Sequence, residues 1–187
     1  MRRHQSSARE VEFRSGRAGK PAFRLYTDEE RRRRDASGWT LVQGILAPVQ
    51  FLVFLVSVGL ILRYFMTGEG LFAANLSIVI KTFVLYTIMV TGSIWEKEVF
   101  GCYLFARPFF WEDVFSMAVL TLHTVYLGAL YWQLLTPTGL MILALSAYVA
   151  YVINAAQFLR KLKMAREESH EELRGSAGLS KEFGVAP

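Results

Sequence analysis

The sequence predicts an all-α integral membrane protein: a four-helix bundle with both termini in the cytoplasm. Three observations predict it. Hydrophobic residues make up 53% of the 187, and charged residues only 20%, against about 25% in an ordinary soluble domain. The charges are crowded at the ends, because residues 1–38 hold 11 Lys/Arg and 6 Asp/Glu, residues 160–187 hold 6 and 5, and the 121 residues between hold nine of the 37. The uncharged stretches, finally, come in the lengths of about 20 residues that a bilayer demands, since backbone groups in hydrocarbon must be satisfied within a helix.

The elements follow in order. Residues 1–22 mix Ser, Gly, Arg and Lys with few apolar side chains, which suits a disordered basic tail. Residues 23–38 form a basic juxtamembrane helix in this reading. Thr27 is its N-cap and Glu30 stands at the third position, the capping-box pattern, and the helix is expected to run through Arg31–Arg34 into Trp39. The membrane domain covers 39–160. Ala36 to Leu62 carries no charge, which sets the first span at 39–65. Thr67-Gly68-Glu69-Gly70 turns the chain, and the second span, 72–95, is interrupted only by Lys81. A loop over 96–110 follows. Val114 to Leu159 then has no Asp, Glu, Lys or Arg for 46 residues, and Thr136-Pro137-Thr138-Gly139 divides it into spans at 111–133 and 138–160. Residues 161–187 are expected to be a charged helical extension and a mobile C-terminal tail.

Orientation follows from the basic residues. Arg31–Arg34, Lys97, Arg107, Arg160, Lys161, Lys163 and Arg166 share one side, and the turns on the other side hold no Lys or Arg. Trp39, Trp95 and Trp111 fall at the cytoplasmic boundary and Trp132 at the opposite one, as an interfacial aromatic belt requires. The net charge of +5 belongs to the tail rather than to a folded surface, which argues against a nucleic-acid partner. A single cysteine, Cys102, excludes a disulfide framework and any cysteine-based metal site. The first 38 residues lack the apolar core of a cleavable signal peptide, and their six acids argue against a transit peptide.

Ionisable and amide residues within spans are costly, so each is a candidate functional residue. At 1.5 Å per residue, Lys81, His123 and Gln50 lie roughly 13, 18 and 16 Å into their spans. A second layer lies at the cytoplasmic boundary: Gln43, Glu96, Glu112, Asp113, Asn154 and Gln157. Glu112, Ser116 and His123 fall within roughly 40° of one another on the third span, with Val119 and Tyr126 beside them. Each residue also has a purely structural explanation. Asn154 and Gln157 suit interhelical glue, Lys81 suits snorkelling, and Glu112 and Asp113 suit the start of a helix. There is no GxGxxG, P-loop, HExxH or GxSxG motif. A lone His still suits axial ligation of a metal held in a porphyrin-type ring.

Several strings carry a resemblance. They are Tyr26-Thr27-Asp28-Glu29-Glu30-Arg31, the run from Trp39 to Phe51, Val90-Thr91-Gly92-Ser93-Ile94-Trp95-Glu96-Lys97, Phe109-Phe110-Trp111-Glu112-Asp113-Val114-Phe115-Ser116-Met117 with Leu122-His123-Thr124, and Tyr151-Val152-Ile153-Asn154-Ala155-Ala156-Gln157-Phe158-Leu159. Over residues 24–166 the chain resembles the 3-vinyl (bacterio)chlorophyllide hydratase family of phototrophic bacteria. The resemblance implies addition of water across the C3-vinyl group of a chlorophyllide-type pigment, giving a 3-(1-hydroxyethyl) group. It implies a place in bacteriochlorophyll biosynthesis, in a bacterial inner, photosynthetic intracytoplasmic membrane. The implied partners are the pigment, the lipid bilayer and other enzymes of pigment biosynthesis.

That chemistry needs an acid, a flat apolar slot and a held water. A carboxyl group at a half-dry boundary suits the acid. Glu112, Asp113 and Glu96 are the candidates for the acid and for the carboxylate that stabilises the cation, and His123 for holding the water or ligating the pigment's magnesium. Gln43, Gln50, Lys81, Ser116, Asn154, Gln157 and Arg107 are the candidate substrate-binding residues. The magnesium arrives with the substrate, so no separate cofactor and no protein metal site is expected. The alternative is a pigment-binding or assembly subunit without chemistry, in which His123 ligates the magnesium.

Overall fold

The computed structural model describes residues 25–183, in which every regular element is a helix. The expected tail over 1–22 and residues 184–187 lie outside them. Helix α1 is Asp28–Ala36, α2 Gly38–Thr67, α3 Leu71–Phe100, α4 Phe110–Tyr131 and α5 Pro137–Phe183. Four of these are long and apolar enough to cross a membrane, with only 22 to 39% of each span buried inside the protein. The remaining surface is apolar and faces outward, as it must where lipid is the solvent. The chain is a multi-pass membrane protein.

The bundle is built from two antiparallel hairpins, α2 on α3 and α4 on α5, and α1 lies against α3. Gly68 and Gly70 turn the first hairpin with φ of 72° and 84°, a region that glycine enters without steric cost. The main core runs through the middle of the bundle, with Phe54, Ile61, Ile78, Val119, Tyr126, Met141 and Tyr148 among its members. A second core closes the end where α1 begins: Leu25, Tyr26, Val99 and Phe109. Phe109 is its centre, stacked on Phe158 and edge-on to Trp95.

Two boundaries differ from the expected ones. The juxtamembrane helix does not run into Trp39. It keeps its capping box, with Thr27 Oγ1 accepting from the Glu30 amide at 3.2 Å and Glu30 Oε2 from the Thr27 amide at 2.7 Å, but it stops at Ala36. Ser37 is extended and caps α2, accepting from the Trp39 amide and donating to Glu98 Oε2 at 2.5 Å. A serine hydroxyl that satisfies an orphan amide favours a new helix start over continuation. The second span likewise does not stop at 95. Lys97 and Glu98 at the helix end are exposed at little cost, and the buried Glu96 takes a loop amide, so all three remain helical until Gly101, whose φ of 83° ends α3. The loop between the hairpins is thereby shortened to 101–109.

Candidate active site

Helices α4 and α5 meet along a polar seam. The stripe of Glu112, Ser116, Val119, His123 and Tyr126 is the buried face of α4. Across from it, α5 carries Tyr148, Tyr151, Asn154, Gln157 and Lys161, three or four residues apart, a stripe that winds gradually round the helix. The rungs are antiparallel. Lys161 Nζ lies 3.6 Å from Glu112 Oε1, Asn154 Nδ2 donates to Ser116 Oγ at 2.8 Å, and the His123 ring stacks on Tyr148 at 5.8 Å.

At the end of the seam nearest α1, three carboxyl groups gather. Glu96, Glu112 and Asp113 are all buried. The carboxyls of Glu96 and Asp113 are within hydrogen-bonding reach of each other. The loop supplies backbone donors to both, from Phe105 to Asp113 Oδ2 at 2.7 Å and from Ala106 to Glu96 Oε2 at 3.2 Å. Phe105 adopts a φ of 62° to do so, a costly conformation for a side-chain-bearing residue. A loop held this way against two acids is shaped for them. Lys161 also donates to the Pro108 carbonyl and lies 5.4 Å over the Phe109 ring.

Beside Glu112 opens a cavity of about 430 Å³. Arg107, Arg160 and Lys161 give it positive charge, Trp111 and Met164 give it apolar walls, and Glu112 and Gln157 are its remaining polar members. Its volume falls in the range of about 300–1,000 Å³ usual for small-molecule sites.

A second polar site lies deeper. Lys81 and His123 are both 0% exposed. Val119's carbonyl can only accept, so the 2.8 Å contact to His123 Nδ1 puts the proton there and leaves Nε2 to accept from Lys81 Nζ at 3.2 Å. The ammonium is roofed by aromatic rings, with Tyr151 at 4.1 Å and Tyr148 at 4.9 Å. Cation–π contact is strongest where water is excluded. Tyr148 in turn bonds Ser57 at 2.6 Å, and Ser57 bonds Ser77 at 2.8 Å.

The expected site residues therefore divide. Glu96, Glu112 and Asp113 come together, with Arg107 and Gln157 on the adjoining cavity. Ser116 and Asn154 pair one turn deeper, and His123 pairs with Lys81 deeper still. Eleven residues separate Glu112 from His123, or roughly 16 Å along the helix, so they stand at different depths of the bundle. Both His123 nitrogens are engaged, and a ligand role for it requires Lys81 to move away first. Gln43 is elsewhere: its Nε2 donates to Thr91 Oγ1 at 2.7 Å, tying α2 to α3 beside Gly92. Gln50 is buried on α2, and neither of its amide atoms has a protein partner. Sequence reasoning missed the Tyr148 and Tyr151 roof, although Tyr151 stands three residues before Asn154 and Tyr148 three before Tyr151. It also missed the two loop amides, which no side chain announces.

Comparison with known proteins gives this arrangement its family. The profile of the 2-vinyl bacteriochlorophyllide hydratase family matches residues 26–164. A protein of Cereibacter sphaeroides named 2-vinyl bacteriochlorophyllide hydratase is 67% identical over 147 residues, covering 78% of this chain and 91% of that protein. A protein of the same name from Rhodobacter capsulatus is 61% identical over 153 residues, 81% of this chain and 88% of its own. No solved structure matches the chain. With the match spanning all four membrane helices, the chain belongs to the 2-vinyl bacteriochlorophyllide hydratase family.

Proposed function

We propose that the protein adds water across the C3-vinyl group of a (bacterio)chlorophyllide, giving the 3-(1-hydroxyethyl) pigment, and that the carboxyl cluster beside the cavity does the acid chemistry. The observation that carries the site assignment is the meeting of Glu96, Asp113 and Glu112 next to a half-apolar cavity with three cationic side chains.

A hydrogen bond between two carboxyls needs one proton between them, so Glu96 and Asp113 are a proton store facing the seam. Glu112, kept beside Lys161, is the anionic member. The vinyl edge of the flat macrocycle enters against Trp111 and Met164, while its acid side chain meets Arg107 and Arg160. The Glu96–Asp113 pair protonates the terminal vinyl carbon, using the π electrons of the double bond to form the C–H bond. The cation left on the inner carbon delocalises into the ring and is stabilised by Glu112. Water attacks that carbon, and its surplus proton returns to the carboxyl pair. The magnesium is the substrate's own, and the reaction takes no further cofactor. The cavity lies at the end of the bundle where the cationic side chains gather. Both termini are cytoplasmic, the membrane is the photosynthetic intracytoplasmic one, and other pigment-biosynthesis enzymes are neighbours that pass the substrate on.

Pigment extracted from a strain lacking the gene tests the reading. A hydratase predicts accumulation of pigment lighter by one water. An assembly subunit predicts pigment of normal mass in smaller amount, which would overturn the assignment.

A further inference from the structure

Four buried polar atoms, on α2 and on the α5 side of the seam, have no protein partner. They are Gln50 Oε1 and Nε2, Asn154 Oδ1 and Gln157 Oε1. Gln50 is 2% exposed and Asn154 8%. An amide left unpaired inside a protein is costly, and native structures keep one only where something else satisfies it. The Phe54 and Tyr151 rings lie 5.1 Å apart, centroid to centroid. Gln50 is one turn from Phe54 and Asn154 three residues from Tyr151. Because α2 and α5 run in opposite directions, both steps lead the same way, toward the carboxyl cluster. Gln157 stands one turn beyond Asn154 and lines the cavity. On the α4 side Ser116 holds Asn154 at this level, one turn from Glu112.

The chemistry of the orphaned atoms is specific. Three are acceptors and one is a donor. A water molecule offers two hydrogens and two lone pairs. With one hydrogen taken by an amide oxygen and one lone pair by the Gln50 N–H, the water keeps a hydrogen for the carboxyl cluster and one lone pair free. That lone pair must point out of the amide cluster, toward the cavity where Gln157 and Glu112 stand. His123 is poorly placed for the same task, because Lys81 already takes its free lone pair.

We propose that Gln50, Asn154 and Gln157 hold the water that is added to the vinyl group, one turn deeper in the bundle than Glu112, with the attack coming from inside the seam. Amides suit this role because they orient the water without taking its proton. The proposal rests on the hydratase reading and deepens it. These are positioning residues: they act on the nucleophile and do not carry the pigment.

The test uses the full-length protein in detergent or vesicles, with chlorophyllide as the probe. Gln50→Met and Asn154→Leu keep the volume and remove the amides. Misplacing a reacting group by about 1 Å can cost on the order of a hundredfold in rate, so kcat should fall at least tenfold in each. Affinity for the pigment, read by its absorbance shift, should stay within twofold of wild type. Since Gln50→Met removes an unsatisfied amide, its thermal unfolding temperature should equal or exceed that of wild type, an outcome that separates lost positioning from lost folding. Wild-type kcat in Gln50→Met and Asn154→Leu, or a loss of turnover matched by loss of pigment affinity, would overturn the proposal. The hydratase reading fails separately, if wild-type protein itself converts no vinyl pigment to the hydroxyethyl product.

Discussion

Lys81 Nζ sits 3.2 Å from Nε2 of His123 in the middle of the bundle, and neither side chain is exposed. Among the described residues no carboxylate pairs with Lys81; its contacts are the imidazole and the Phe54, Tyr148 and Tyr151 rings. The pair joins α3 to α4, which otherwise touch far less than the helices within each hairpin. It therefore acts as a clamp between hairpins, at a depth where no water competes for either group.

Replacing one member should hurt more than replacing both. His123→Leu strands the Lys81 amino group and should cost about 1–3 kcal/mol of stability, the usual penalty for an unsatisfied buried polar group. Adding Lys81→Met, of similar length and apolar, should recover part of that loss. Unfolding in detergent of both single variants and the double variant measures the coupling. Strictly additive losses would mean that the contact holds nothing together.

Removing a proton from the store should slow the chemistry and spare the fold. Asp113→Asn keeps an acceptor for the Phe105 amide, and Glu96→Gln keeps one for Ala106. General acid help is typically worth about 10²–10⁴-fold, and turnover of each variant should fall within that range while the protein still inserts and binds pigment. Glu112→Gln should also lose turnover, through the cation it no longer stabilises. Wild-type rates in Asp113→Asn and Glu96→Gln would move the acid away from this pair.

The cavity's cations should govern binding. Arg107 and Arg160 are exposed residues on its wall, and an exposed ion pair is worth up to about 1 kcal/mol. Arg107→Gln with Arg160→Gln should weaken pigment binding by roughly tenfold, leave kcat unchanged, and make the affinity less sensitive to salt. Lys161 is a poor choice for this test because it also holds Glu112 and the Pro108 carbonyl.

The spans were legible in the sequence because hydrocarbon fixes their length and excludes charge. The stripe of Glu112, Ser116 and His123 was legible because a helix puts such spacing on one face. The division of that stripe into two sites was not, since it depends on what Lys81 reaches from another helix. Nor was the break at Ser37, where one hydroxyl joins Trp39's amide and Glu98. The loop amides of Phe105 and Ala106 leave no trace in composition, because every residue but proline has one. Gln43 looked equivalent to Gln157 by depth alone, but it bonds Thr91 within the α2–α3 hairpin, away from the α4–α5 seam.

Reporter fusions check the orientation. Fusions after Lys20 and after Arg174 should both report cytoplasm, as the distribution of basic residues requires. A periplasmic signal from both would reverse the bundle, and from one alone would contradict four crossings.

The most direct test of hydration is the origin of the new atoms. Purified protein is given vinyl pigment in heavy-oxygen water, and separately in D₂O, and the product is analysed by mass and NMR. Hydration by carbon protonation places the labelled oxygen on the inner carbon and one deuterium in the new methyl group. A hydroxyl oxygen drawn from O₂, or a methyl group without deuterium, would contradict it.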